Sequence, residues 1–128
     1  MAVSLGRGVS ILPEERSLNL IIDGGGSAIT TGAKGYVRVD FPCAIWRWTI
    51  LADQVGSAVV DVKKVDYGNF PSTTSIAGSE LPTLSAARKN EDQDLTTWSN
   101  ILQAGDILEF VVNSASTVTR VTVDLYIQ

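Results

Sequence analysis

The stretch from Lys34 to Val65, KGYVRVDFPCAIWRWTILADQVGSAVVDVKKV, constrains the fold more than any other part of the chain. Val37, Val39 and Phe41 alternate with Tyr36, Arg38 and Asp40, the period of two expected of a strand with one buried face. Pro42 lacks the N–H that a ladder needs, so it marks a strand end, bulge or corner. A second run follows from Ala44 to Leu51, in which Trp46, Trp48 and Ile50 are expected to share the inward face. Asp53-Gln54-Val55-Gly56 has the composition of a turn, and Ser57 to Val65 reads as a third strand led by Val60 and Val62. These three runs predict a β-meander.

The flanking segments extend the pattern. Ser17 to Ile22 reads as a first strand entering the glycine-rich loop Asp23-Gly24-Gly25-Gly26-Ser27, and Ala28 to Thr31 as a short extended piece before Gly32. Asp66 to Ser79 is rich in turn formers and predicts a long surface loop, with Tyr67 and Phe70 tucking it down. Glu80 to Leu84 is interrupted by Pro82, and Ser85 to Asp94 is so hydrophilic that a solvated loop with one helical turn is expected. Leu95 to Leu102 predicts a strand with Trp98 half buried, and Ile107 to Val112 another, before a turn at Asn113 to Ser116. The last run alternates most regularly, with Val121, Val123, Leu125 and Ile127 inward and Arg120, Thr122, Asp124 and Tyr126 outward. A terminal strand of this kind belongs in the middle of a sheet.

Seven or eight strands joined by turns predict an all-β, antiparallel β-sandwich, with a jelly roll ahead of an immunoglobulin-like arrangement. Residues 1–16 form an expected irregular N-terminal arm before a domain at 17–128, and Val3, Leu5, Val9, Ile11 and Leu12 are its candidate assembly anchors. A length of 128 residues suffices for one domain with its own core, and 45% hydrophobic against 19% charged residues argues for a folded chain.

Composition also narrows the chemistry. No histidine is present, which removes Ser-His and Cys-His pairs and the commonest zinc ligand. The single cysteine, Cys43, excludes an internal disulfide framework, and with no base near it in sequence it reads as a small buried residue. Ten basic against fourteen acidic residues give no general attraction to nucleic acid or to an anionic membrane. Apolar runs are too short to span a bilayer, and the first residues lack the apolar core of a secretory signal. The glycines at 24 to 26 lack the phosphate-loop pattern, and Gly35 leads into a strand rather than a helix. Carboxylate pairs such as Asp61 with Asp66 or Asp106 with Glu109 have no spacing that marks a glycosidase, and the acidic run at 90–94 lacks the calcium-loop glycine. No catalytic residue, metal ligand or cofactor is therefore assigned.

The run Leu20-Ile21-Ile22-Asp23-Gly24-Gly25-Gly26-Ser27-Ala28-Ile29-Thr30-Thr31-Gly32 resembles the IDGGG-x-x-I-x-x-G opening of small β-domains in tailed-bacteriophage structural proteins. The likeness continues at Trp48 to Gln54, Gly56 to Val62, Gly78 to Ser85, Leu95 to Trp98, Gly105 to Leu108 and Val118 to Thr122, so it covers about residues 20 to 127. It implies a non-enzymatic virion component, often trimeric. With no stalk and no collagen-like repeat, the chain suits a capsid decoration or cement protein on the head, bound to the major capsid protein, better than a fibre shaft. The alternative is a tail-tip or fibre module that binds host-surface glycan through loop aromatics, with Tyr67, Phe70 and Trp98 as surface-contact candidates.

Overall fold

A ribbon of three strands bends sharply at its middle and folds back on itself, and everything else attaches to it. The computed structural model describes residues 16–128; the arm anchors Val3, Leu5, Val9, Ile11 and Leu12 lie outside the described residues. Eight strands follow in order: β1 (Arg16–Asp23), β2 (Gly32–Arg38), β3 (Cys43–Val65), β4 (Thr74–Ser75), β5 (Thr83–Asp92), β6 (Ile101–Leu102), β7 (Ile107–Ser116) and β8 (Arg120–Ile127). All pairings are antiparallel.

β3 is 23 residues long and runs through both layers of the molecule. Its first half pairs with β8 (Ile50 opposite Val123) and its second with β7 (Val62 opposite Phe110), while β5 follows its other edge (Ile50 opposite Asn90, Ala58 opposite Leu84). Cut at the bend, the strands sort into one layer ordered β1-β8-β3-β5 and a second ordered β2-β7-β3-β5, with β4 and β6 as short additions to β3. This is the expected all-β antiparallel sandwich, in jelly-roll order.

The bend occupies Asp53 to Gly56, where the sequence predicts a turn. The residue chemistry is that of a turn, but it serves a corner inside a continuous strand, of the kind by which strands pass between packed sheets. Asp53 holds it. Its Oδ1 accepts the backbone N–H of Thr119 (3.1 Å) and of Arg120 (3.0 Å), and its Oδ2 accepts the Thr119 hydroxyl. These bonds, the Thr119 hydroxyl foremost, bring the carboxyl down to about 2. Opposite, Thr117 has a left-handed backbone (φ 70°) and donates its hydroxyl to the Val55 carbonyl at 3.1 Å. Gly56 is buried in the angle: a Cβ there would lie 2.3 Å from Thr117 Oγ1 and 2.6 Å from the Ser116 carbonyl oxygen.

Inward residues alternate as the pattern predicts on β8, where Val121, Val123, Leu125 and Ile127 are all buried and the strand is paired on both sides. They join Ile45, Trp48 and Ile50 of β3 and Leu108, Phe110 and Val112 of β7 in one core. The outer edges of the two layers approach where the Leu20 side chain lies against Gly35, at a bulge in β2 where an added Cβ would sit 3.2 Å from the Leu20 methyl carbons.

Four expectations are corrected here. Trp46 does not share the inward face of Trp48 and Ile50; a register shift between Ile45 and Arg47 turns Ile45 inside and leaves Trp46 51% exposed. Most of the stretch 85–94, expected as a solvated loop with a helical turn, belongs instead to strand β5 (Thr83–Asp92); lying at an edge, β5 buries Leu84 fully and can otherwise be polar. β7 runs on to Ser116, through the expected turn at 113–116, and the strand expected over 95–102 shrinks to Ile101–Leu102.

Candidate interaction surface

The loop between β3 and β4 leaves the core at Val65 and folds back across the outer side of the second layer. A 3-10 turn at Tyr67–Asn69 starts it, closed by Asn69 Nδ2 donating to Asp66 Oδ1 at 2.7 Å, and a cis peptide joins Phe70 to Pro71. Beneath it, β2 and β7 pair Tyr36 with Glu109 and Arg38 with Ile107, so Tyr36 and Glu109 stand side by side on the outer face. Alternation along β2 turns Val37 toward the interior and Tyr36 and Arg38 outward.

Loop and strand then meet through their aromatic groups. The Tyr36 and Phe70 rings pack edge to face, 5.0 Å between centroids at 70°. The Arg38 guanidinium carbon sits 5.1 Å over the Tyr67 ring. The Thr73 hydroxyl donates to Glu109 Oε1 at 2.5 Å and pins the returning half of the loop. Partial desolvation, then the neighbouring Glu109 charge, raise the Tyr36 phenol above its ordinary value. Despite these contacts the patch is open, with Tyr36 48%, Tyr67 66% and Phe70 42% exposed.

Two of the three surface-contact candidates, Tyr67 and Phe70, are therefore brought together and left accessible, though the loop is held down by Thr73 rather than by burying them. The third is not there. Trp98 is buried, and its indole N–H and that of Trp48 both donate to the Glu80 backbone carbonyl at 2.9 Å. The Glu80 carboxylate accepts the Thr97 hydroxyl (2.6 Å) and backbone N–H, which lowers its pKa. Trp98 anchors one loop to another; an aromatic in a polar loop is as readily a plug as a contact. Tyr36 and Arg38 are the residues sequence reasoning missed. Their signal was visible: an aromatic and an arginine on the polar face of an alternating strand.

The other flank of the same loop borders an open cleft of about 550 Å³, lined by Lys64, Asp66, Asn69, Ser72, Gln103 and Asp106 among others. Asp106 is its buried floor, with Oδ2 accepting the Gln103 backbone N–H at 2.8 Å and lying 3.9 Å from Lys64 Nζ. Cys43 lies close by in partial burial; desolvation and the Asp106 charge push its thiol up, which disfavours the nucleophilic thiolate. Among the described residues, no three or more His, Cys, Asp or Glu side chains gather as a metal site, and no helix is long and apolar enough to cross a membrane.

No protein-family model and no curated protein sequence matches the chain. Among solved structures, a serine protease of Aeromonas sobria aligns over 90% of this chain and 27% of its own at 8% identity and a TM-score of 0.34. The infectious bursal disease virus Gx strain structure aligns over 98% of this chain and 42% of its own at 13% identity and a TM-score of 0.29. The chain thus spans about a quarter of the first and under half of the second, and likeness at this level carries no conclusion about fold or function.

Proposed function

We propose that the domain is a non-enzymatic structural component of a bacteriophage virion, a homotrimeric decoration or cement protein on the head surface. The Tyr36–Arg38–Tyr67–Phe70 patch supports this reading. Aromatic and arginine side chains in a desolvatable cluster ringed by polar groups are the composition of an assembly contact. Here they come from two distant segments and are braced by each other and by the Thr73–Glu109 bond, so little side-chain freedom remains to be lost on docking. The domain would hold neighbouring major capsid protein subunits together by adding buried area between them.

Two measurements test it. Immunogold electron microscopy of purified virions should place the label over the head, and the Tyr67→Ala/Phe70→Ala protein should fail to co-sediment with particles stripped of the native protein. Co-sedimentation equal to wild type would refute the role of the patch. The second reading is a tail-tip or fibre module that contacts host glycan, and the polar cleft favours it. Label confined to the tail tip selects that reading.

A further inference from the structure

We propose that the cleft between the Asp66–Thr74 loop and the β6–β7 turn is a binding site for a neutral, hydroxyl-rich saccharide; biologically it deepens the receptor-binding reading. At about 550 Å³ the cleft lies within the range of small-ligand sites. Its lining mixes apolar surface, Val65 included, with polar groups of a particular kind. Each sugar hydroxyl donates and accepts at once, so a sugar needs carboxylate, amide, hydroxyl and ammonium groups close together. Asp66 and Asp106, Asn69 and Gln103, Ser72, and Lys64 supply all four.

These groups are also held in place. At the floor, Asp106 is fixed by the Gln103 backbone, and Lys64 Nζ, near Asp106, donates to the Ile101 carbonyl at 3.2 Å. At the rim, Asn69 Nδ2 is tied to Asp66 Oδ1, and the Ser72 backbone N–H donates to the Asn69 carbonyl at 3.0 Å. A site ordered before the ligand arrives loses less entropy on binding.

Charge chooses among sugars. Two aspartates against one lysine leave the lining net negative, which opposes hexuronates and phosphosugars and admits neutral hexoses and N-acetylhexosamines. A bare cation is a poorer occupant: the described residues gather no third ligating carboxylate, thiolate or imidazole there.

The test is an array of immobilised oligosaccharides in three classes, neutral hexose, N-acetylhexosamine and hexuronate, followed by calorimetric titration of the soluble oligomer that is retained. The full-length protein should retain at least one neutral class and reject hexuronates. Asp66→Ala and Asn69→Ala, both at exposed loop positions, should each weaken binding about tenfold, one charged or well-placed hydrogen bond's worth, while the cooperative melt is retained with a Tm lower by a few degrees at most from loss of the Asn69–Asp66 bond. Trp46→Ala, outside the cleft lining, should bind as wild type. Retention of no neutral glycan, preference for hexuronates, or binding that survives both cleft variants overturns the proposal. Tail-tip label with no glycan retained removes the sugar site alone; head label with glycan retained removes the receptor-binding reading and keeps the site.

Discussion

Substitution of Gly56 by alanine isolates the corner on which the jelly roll turns. The added Cβ would meet Thr117 Oγ1 at 2.3 Å, the Ser116 carbonyl oxygen at 2.6 Å and Val118 Cγ1 at 2.7 Å, and the second of these is backbone. The two arms of the ribbon must therefore separate by several tenths of an ångström. Overpacking of this kind costs about 1–3 kcal/mol. The Thr117 hydroxyl must also leave the Val55 carbonyl, a net loss of about 1 kcal/mol. Against this, alanine restricts the unfolded chain and returns about 0.4–1 kcal/mol. The balance is a destabilisation of about 2 kcal/mol, or a fall in Tm of roughly 8 °C for a domain of this size. Gly68→Ala is the control, because its Cβ would meet nothing nearer than Asp66 Oδ2 at 3.9 Å, and it should be neutral or slightly stabilising. Thermal melts by circular dichroism with urea titrations supply the comparison; the urea m-value should not change. Gly56→Ala within about 0.5 kcal/mol of the parent, or no worse than Gly68→Ala, would show that the corner tolerates bulk and that steric closure there is not what fixes the bend.

Further outcomes follow from the same geometry. Asp53, depressed from 3.8 to about 2, contributes stability that is fully present above the unfolded value and is lost as pH falls through the folded one; wild-type Tm should therefore drop between about pH 4 and about pH 2, more steeply than that of Asp53→Asn. Trp98→Phe removes both the donor to the Glu80 carbonyl and part of the buried indole volume, and should cost about 2–3 kcal/mol in urea unfolding. Phe110→Ala opens a void at a fully buried site and should cost about 3–5 kcal/mol, enough to show as loss of the cooperative melt at moderate temperature.

What the sequence made legible depended on how each strand is solvated. β8 has one face in the core along its whole length, so its alternation survives as a clean period of two. β5 lies at the edge of both layers and is mostly wet, so its sequence looks like that of a loop although its backbone is paired with β3. Asp53 to Gly56 misleads for a different reason. A corner needs a side-chain cap and a residue without Cβ, the same chemistry as a turn, and only the long-range partners Thr119 and Arg120 tell the two apart. At Trp46 the pattern fails by one residue because a bulge is a property of the pairing, which no local window contains. The aromatic surface was half visible. Tyr67 and Phe70 stand out in a loop of small polar residues, whereas Tyr36 and Arg38 joined them only when β2 was laid beneath that loop.

The uninterrupted passage of β3 through both layers has a mechanical consequence. In a sandwich whose sheets are linked only by loops, a shearing force separates the layers by breaking side-chain packing alone. Here a pull on either layer is carried along the covalent backbone of Cys43–Val65 into the other, and sliding requires the ladders to β7 and β8 to fail as well. The β2 surface that bears Tyr36 and the β1 strand are thus connected in series through β7, β3 and β8.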